Sequence, residues 1–312
     1  MRVLFWGTPE FATPSLLALT GEGHEVVAVV TQPDRAQGRS RSELVPPPVK
    51  TIAVTEGIPV LQPERPRGAE FIAQLRGLTP DVSVVVAYGQ LLTQEVIDIP
   101  PRGTLNIHGS LLPRWRGAAP IQAAILAGDT DTGISIQRMV LKLDAGPILF
   151  EAPTPIGADD TAGELTEHLS ELGAAAIIEC LALLDLGAIT EKPQDESRVT
   201  IAKKIDRAAA RLDFALPALE VARAIRAYDP RPGAWGEVRG GEVRLFGVRV
   251  LPDRHGDAGE TLEVGELGMV IACARGAVAV ETVHPAGKRR LASLDWAQGR
   301  GVATGDRWSL PQ

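Results

Sequence analysis

The stretch RVLFWGTPEFATPSLLALTGEGHEVVAVVTQ (2–32) decides the fold. RVLFWG (2–7) and EVVAVVTQ (25–32) are near-continuous apolar runs, the pattern of strands buried on both faces of a parallel sheet. Between them the spacing predicts a helix with Thr13 as N-cap, Pro14 at the first helical position and Gly21 near the end. Strand–helix–strand is the unit of a doubly wound α/β fold. DVSVVVAYG (81–89) and TLNIH (104–108) supply further strands, and ISIQRMVL (134–141) and ILFEAPTPI (148–156) predict a later pair joined by Lys142–Pro147. Only Gly7 stands before Thr8-Pro9 after the first strand. Without a GxGxxG there, a dinucleotide site is disfavoured.

Thr161-Ala-Gly-Glu164 fits a capping box, and Leu165, Leu169, Leu172, Ala176 and Cys180 recur at helical spacing behind it. After Gly187 the periodicity fades into a linker. A helical stretch (Ala215–Tyr228) leads to the Gly-punctuated runs AWGEVRGGEVRLFGVRVL (234–251) and TLEVGELGMVIACARGAVAVETV (261–283), which predict a small OB-like β-barrel. The expected organisation is a Rossmann-like, doubly wound, mostly parallel sheet domain over 1–189, a linker over 190–206 and the barrel over 207–312.

At 312 residues, two domains are the natural expectation. The net charge of −7 hides an asymmetry: residues 207–312 hold 15 Lys/Arg against 13 Asp/Glu, a net of +2, which leaves −9 for the first 206. Cys180 and Cys273 lie far apart without metal-ligand spacing, and the five histidines include no HExxH, so no metal site is expected. MRVLFWGTPEF lacks an apolar segment long enough for a signal peptide, and the run Ala174–Leu184 is short and contains Glu179. A cytoplasmic monomer with no membrane partner is expected.

LNIHGSLLPRWRG (105–117) carries the chemistry. In a strand ending at His108, Leu105 and Ile107 face one way while Asn106 and His108 face the other. Two satisfied polar groups at a strand end would give the same pattern, as an isolated Asp144 in KLDAGPI (142–148) would suit a turn. Taken together, NxHGSLLPxWRGAAPIQ (106–122) and LDAGPIL (143–149) resemble the methionyl-tRNA formyltransferase family. The likeness extends through VLFWGTPEFA (3–12), TQPDR (31–35), PPPVK (46–50), VVVAYGQLL (84–92), GDTDTGISI (128–136), RAIRAYDPRPGAW (223–235) and HPAGKRR (284–290). Glycinamide ribonucleotide and amino-sugar formyltransferases resemble the same Asn-x-His plus Asp pattern. Trp115, Ala118-Ala119-Pro120-Ile121 and the predicted barrel favour the tRNA enzymes. A non-enzymatic folate-binding module is disfavoured because all three polar positions occur together.

The resemblance implies formyl transfer from 10-formyltetrahydrofolate to the amino group of methionyl-initiator tRNA. Such an acyl transfer needs an oxyanion donor, a proton acceptor and a group that orients the acceptor. Asn106, His108 and Asp144 suit these roles in turn. The resemblance puts the folate beside Ser110, Leu111, Leu112 and Pro113, with Val86 and Tyr88 of Val84–Tyr88 as another wall. It makes Arg35, Arg39 and Arg41 of a basic loop candidate tRNA contacts, with Arg114 and Arg116 beside the site and Lys288, Arg289 and Arg290 on the barrel.

Overall fold

A computed structural model describes residues 1–37 and 43–311, which fall into two compact units. The first comprises 1–117, 131–155 and 166–201; the second comprises 118–130, 156–165 and 202–312.

The strands of the first unit are Arg2–Gly7 (β1), Glu25–Val30 (β2), Arg35–Gln37 (β3), Glu43–Val45 (β4), Val60–Leu61 (β5), Val82–Val86 (β6), Thr104–His108 (β7), Arg116–Gly117 (β8), Asp131–Arg138 (β9) and Ile148–Pro155 (β10). Seven of them form one sheet in the order β10-β9-β7-β6-β1-β2-β5. From β5 to β7 all neighbours are parallel; β9 and β10 join antiparallel. This is the expected mixed α/β architecture. β1 and β6 are buried along almost their whole length, as strands covered on both faces must be. Trp6 anchors one face: Tyr88 and Phe71 meet it edge-on, with centroids 5.2 and 6.2 Å away.

Helix Thr13–Gly21 (α1) begins one residue earlier than its spacing predicts. A 3-10 turn at Glu10–Ala12 already bends the chain, so Ala12 takes the N-cap position and the Thr13 hydroxyl donates to Glu10 O at 2.8 Å. Further helices are Pro48–Thr55 (α2), Ala69–Gly77 (α3), Gln94–Ile97 (α4) and Ala162–Asp185 (α6), while Pro120–Ala127 (α5) belongs to the second unit. The capping box of α6 forms as expected, with Glu164 Oε2 accepting from Thr161 N and Oγ1 at 3.0 and 2.7 Å, and Glu164 N donating to Thr161 Oγ1 at 3.2 Å. These bonds hold the Glu164 carboxyl below its ordinary pKa. β9 starts at Asp131 rather than Ile134 and ends at Arg138, where the chain turns away. Gly133 is required within it, because a Cβ there would lie 2.3 Å from Ala152 O on β10.

Beyond Ile201–Ala202 (β11), the second unit carries helix Ala218–Ala227 (α7), strands Trp235–Val238 (β12), Gly241–Leu251 (β13), Thr261–Gly265 (β14), Gly268–Ala272 (β15), Ala277–Pro285 (β16) and Leu291–Ala292 (β17), then helix Ser293–Gln298 (α8). The strands form one six-stranded antiparallel sheet, β12-β13-β16-β15-β14 with β17 on β16. The Val221–Ile225 face of α7 packs into its core with Leu245, Met269, Val280 and Trp296. The terminal segment bridges both ends of this sheet: Trp308 N donates to Gly259 O, and Ser309 N donates to Glu237 O, each at 2.8 Å. The Trp308 ring is buried against Phe214, with its indole N–H 3.2 Å from Thr261 Oγ1. Trp308→Ala should therefore cost about 3–5 kcal/mol in the second unit. Urea unfolding followed by tryptophan fluorescence should show an early transition in the variant that the wild type lacks.

Candidate active site

The site is built where strand direction reverses. β7 pairs with β9 so that Asn106 stands opposite Gln137 and His108 opposite Ser135, two polar pairs on adjacent strands. The Ser135 hydroxyl donates to Ser110 O at 2.8 Å and accepts from Leu112 N at 3.0 Å, which fastens the SLLP loop to the strand. The Ser110 hydroxyl donates to Arg114 O at 2.7 Å. The loop 139–147 folds back over this face, and Asp144 becomes the point where its parts meet. Gln137 Nε2 donates to Asp144 Oδ1 and Gly117 N donates to Oδ2, each at 2.9 Å.

His108 is 5% exposed. Its Nε2 lies 2.9 Å from Trp115 O, a pure acceptor, so that nitrogen carries a proton. Its Nδ1 is left 3.8 Å from Asp144 Oδ2, too far for a hydrogen bond and close enough for charge attraction. The half-buried Asn106 makes no side-chain hydrogen bond among the described residues. Trp115 and Asp144 have φ of +58° and +47°, a left-handed backbone that costs a residue with a side chain about 1–3 kcal/mol.

Several expected residues are buried. Val86 and Tyr88 are core side chains, fully or almost fully buried, and burial beside Trp6 pushes the Tyr88 phenol up to about 12. Ser110 and Leu112 are also buried; of that loop only Leu111 and Pro113 keep half-exposed side chains. Exposed apolar side chains occur on the loops after β6 and β9, where Leu91, Leu141 and Leu143 are 81%, 66% and 57% exposed. Sequence reading missed them because a loop leucine carries no sign of its exposure.

Arg116 is not a solvent-facing cation. Only 2% exposed, it donates from Nε to Gln194 Oε1 and from Nη2 to Glu196 Oε1, each at 2.9 Å. These bonds, led by Arg116 and joined by Lys142, lower the Glu196 carboxyl to about 2, so the partner stays charged at any working pH. Burial without such partners would be prohibitive for a guanidinium. Arg114 lies over the Trp115 ring at 4.8 Å. Arg35 is exposed on the β3–β4 hairpin and contacts Gln32 Oε1, so the ends of the basic loop are paired strands rather than irregular chain. Arg39 and Arg41 lie outside the described residues. Lys288, Arg289 and Arg290 are exposed in the β16–β17 turn, with the Arg290 guanidinium 4.1 Å over Phe246.

A second feature lies at the carboxyl ends of β1, β2 and β6, where the strand order reverses and α/β proteins hold ligands. A cleft of about 250 Å3 there is lined by Thr8, Gln32, Arg35, Pro47 and Ala87, and Thr8 Oγ1 and Gln32 Nε2 both donate to Tyr88 O. Asp34 braces its rim by accepting from Gln62 and Lys50 at 2.8 Å, bonds that lower its carboxyl pKa. Among the described residues, no group of three or more His, Cys, Asp and Glu side chains is arranged to hold a metal, and no helix is long and apolar enough to cross a membrane.

Residues 1–181 match the Formyl transferase family and residues 204–301 its C-terminal domain. The chain therefore belongs to the formyl transferase family, in the branch of the methionyl-tRNA formyltransferases. The curated proteins of that name it resembles include those of Chromobacterium violaceum (46% identical, covering 98% of this chain and 99% of the relative) and Dechloromonas aromatica (45%, covering all of both). Among solved structures, HypX from Aquifex aeolicus in complex with tetrahydrofolic acid shares the fold at TM-score 0.66 and 22% identity. That match covers 95% of this chain and 46% of HypX, so this chain spans under half of that protein. WlaRD, a sugar 3N-formyl transferase in the presence of dTDP and 5-N-formyl-THF, matches at TM-score 0.68 and 15% identity, over 92% of this chain and 98% of WlaRD.

Gly146 gives this geometry a direct check. A Cβ there would fall 1.7 Å from Arg138 O, so Gly146→Ala must displace the backbone that carries Asp144. The variant should lose about 1–3 kcal/mol of stability in denaturant titration. Formyl transfer should fall further than that loss accounts for at temperatures where it remains folded.

Proposed function

We infer that the chain transfers the formyl group of 10-formyltetrahydrofolate to the amino group of methionyl-initiator tRNA. Near-full-length similarity to methionyl-tRNA formyltransferases supports the acceptor, and the folate compounds named with HypX and WlaRD support the donor class. The chemistry is carried by one observation: His108 has one ring nitrogen committed to Trp115 O and the other turned toward Asp144.

The donor supplies an activated formyl carbon. The acceptor amine bonds to that carbon, and the carbon–nitrogen bond to the folate breaks. One proton leaves the amine, and the released folate nitrogen gains one. Asn106 donates its unengaged amide N–H to the oxygen that becomes negative during attack. His108 moves the proton through Nδ1, since Nε2 is held by Trp115. Asp144 stabilises the imidazolium electrostatically across 3.8 Å. No serine or cysteine nucleophile is needed, because the amine itself attacks.

Leu111 and Pro113, with the exposed leucines at 91, 141 and 143, fit the donor: a flat heteroaromatic ligand covers apolar surface that would otherwise face water. We propose that residues 207–312 form an OB-like barrel, closed by the terminal segment, that binds tRNA through Lys288, Arg289 and Arg290. Residues 1–189 then form the catalytic domain, 190–206 the connection and 207–312 the tRNA domain. Arg35, Arg39, Arg41 and Arg114 also contact tRNA, while Arg116 holds the site together. The enzyme acts as a cytosolic monomer, beside the pool of charged initiator tRNA.

Incubation with 10-formyltetrahydrofolate and three acceptors tests this reading. Charged initiator tRNA should be formylated, whereas glycinamide ribonucleotide and an amino-sugar nucleotide should not; transfer to either of the latter alone refutes it. Asn106→Ala should keep folate affinity and lose about 10²–10³ in turnover, the usual loss for one oxyanion donor. Retained turnover in the folded variant would assign the oxyanion to another group. Replacing Lys288 and Arg289 by alanine should weaken tRNA binding and flatten the slope of log affinity against log salt by about one for each phosphate no longer neutralised. An unchanged slope in filter binding would remove this turn from the interface.

A further inference from the structure

Residues 182–203 fall between the two family matches, yet they reach back into the candidate site. Thr200 Oγ1 accepts from Trp115 N at 2.8 Å and Thr200 O accepts from Arg116 N at 2.9 Å. Trp115 is the residue whose carbonyl engages His108. Gln194 reaches the other half of the site. Its Oε1 accepts from Arg116 Nε, and its Nε2 lies 2.9 Å from Asp144 O, 2.7 Å from Gly146 O and 3.3 Å from Gln137 Oε1. The amide has one consistent orientation: Arg116 Nε can only donate and the three oxygens can only accept. The polarity of buried Arg116 therefore dictates that Gln194 presents its donors to the 144–146 loop.

We propose that Gln194 is a positioning residue for formyl transfer, holding the Asp144 loop and the Gln137 amide so that the carboxylate faces His108. The proposal rests on the catalytic reading above. Asp144 occupies a left-handed backbone, which persists only where surroundings over-determine it. Gln194 supplies that constraint from both sides, through the carbonyls of Asp144 and Gly146 and through the amide bonded to Oδ1. Glu196 and Lys142 complete the brace, since Glu196 binds Arg116 and also accepts from Lys142 Nζ at 2.6 Å at the start of the same loop. A catalytic group misplaced by about 1 Å can lose two orders of magnitude in rate without any change in what touches substrate.

The test uses the full-length enzyme with Gln194→Leu, which removes donors and acceptor at similar size, and Gln194→Glu, which keeps the acceptor for Arg116 and removes the donors. Both should lower kcat by roughly 10- to 100-fold while the KM for donor and for charged tRNA stays within about twofold. Combined with Asp144→Asn, either change should cost almost nothing more, because Gln194 acts through Asp144. Wild-type kcat in Gln194→Leu, or a double variant slowed by the product of the two single effects, overturns the proposal. If Gln194→Leu melts below the assay temperature, Gln194→Glu decides by the same two criteria. Failure of the wild type to formylate charged initiator tRNA overturns the functional reading and the proposal with it. Wild-type turnover beside an unimpaired Gln194→Glu overturns the proposal alone.

Discussion

The candidate site depends on one carboxylate held over the face of a sheet. Asp144 receives the backbone N–H of Gly117 and the side-chain amide of Gln137, one on each oxygen. Those two bonds fix the plane of the carboxylate, and the plane fixes which oxygen faces His108. The cost is local backbone strain, shared by Ala87, Trp115 and Asp144, whose φ values are +47°, +58° and +47°. None of the three is glycine, so each conformation has to be imposed by its surroundings. Ala87 lines the cleft at the strand ends, Trp115 engages His108, and Asp144 is the carboxylate itself. Three of the six left-handed non-glycine residues among the described residues therefore lie at the cleft or the candidate site.

Arg116 explains how such a loop can be held firmly. A guanidinium placed in the interior must have its donors satisfied, and it finds Gln194 and Glu196 about eighty residues later in the chain. Glu196 remains largely exposed and still keeps its charge, because Arg116 and Lys142 both bind it. Such a pair adds little as a surface salt bridge. Its effect is geometric: a rigid planar fork, anchored at one end, sets the orientation of the Gln194 amide at the other.

Much of this is legible in the residues alone. The parallel strands are visible as unbroken apolar runs, and alternation puts Asn106 and His108 on one face of TLNIH. The register between β7 and β9 is not legible, since the partners are separated by about thirty residues of turn and helix. Gln137 and Ser135 therefore go unnoticed although they stand directly opposite Asn106 and His108. The burial of Tyr88 and Arg116 is not legible in the sequence, for opposite reasons. The tyrosine has an apolar neighbourhood around Trp6 that only packing reveals, and the arginine looks solvated until Gln194 and Glu196 are brought beside it. Arg116 has no visible partner in the sequence because its partners come from a segment whose composition reads as linker.

The reversal of strand direction explains how Asp144 reaches His108, which ends β7 at the same carboxyl edge as β1 and β6. In a wholly parallel sheet the strand-to-helix loops all lie at the carboxyl edge, so a ligand there meets loops and strand tips. β9 runs against β7, leaves the sheet level with Leu105, and lets the next loop turn back over the polar face. Asp144 thus approaches from above a strand pair whose side chains already point toward it. A parallel strand in the place of β9 would need a crossover covering one face of the sheet, leaving no short loop free to fold back there. The antiparallel edge makes a polar site on the sheet face possible, while the parallel strands beside it leave a cleft at their carboxyl ends.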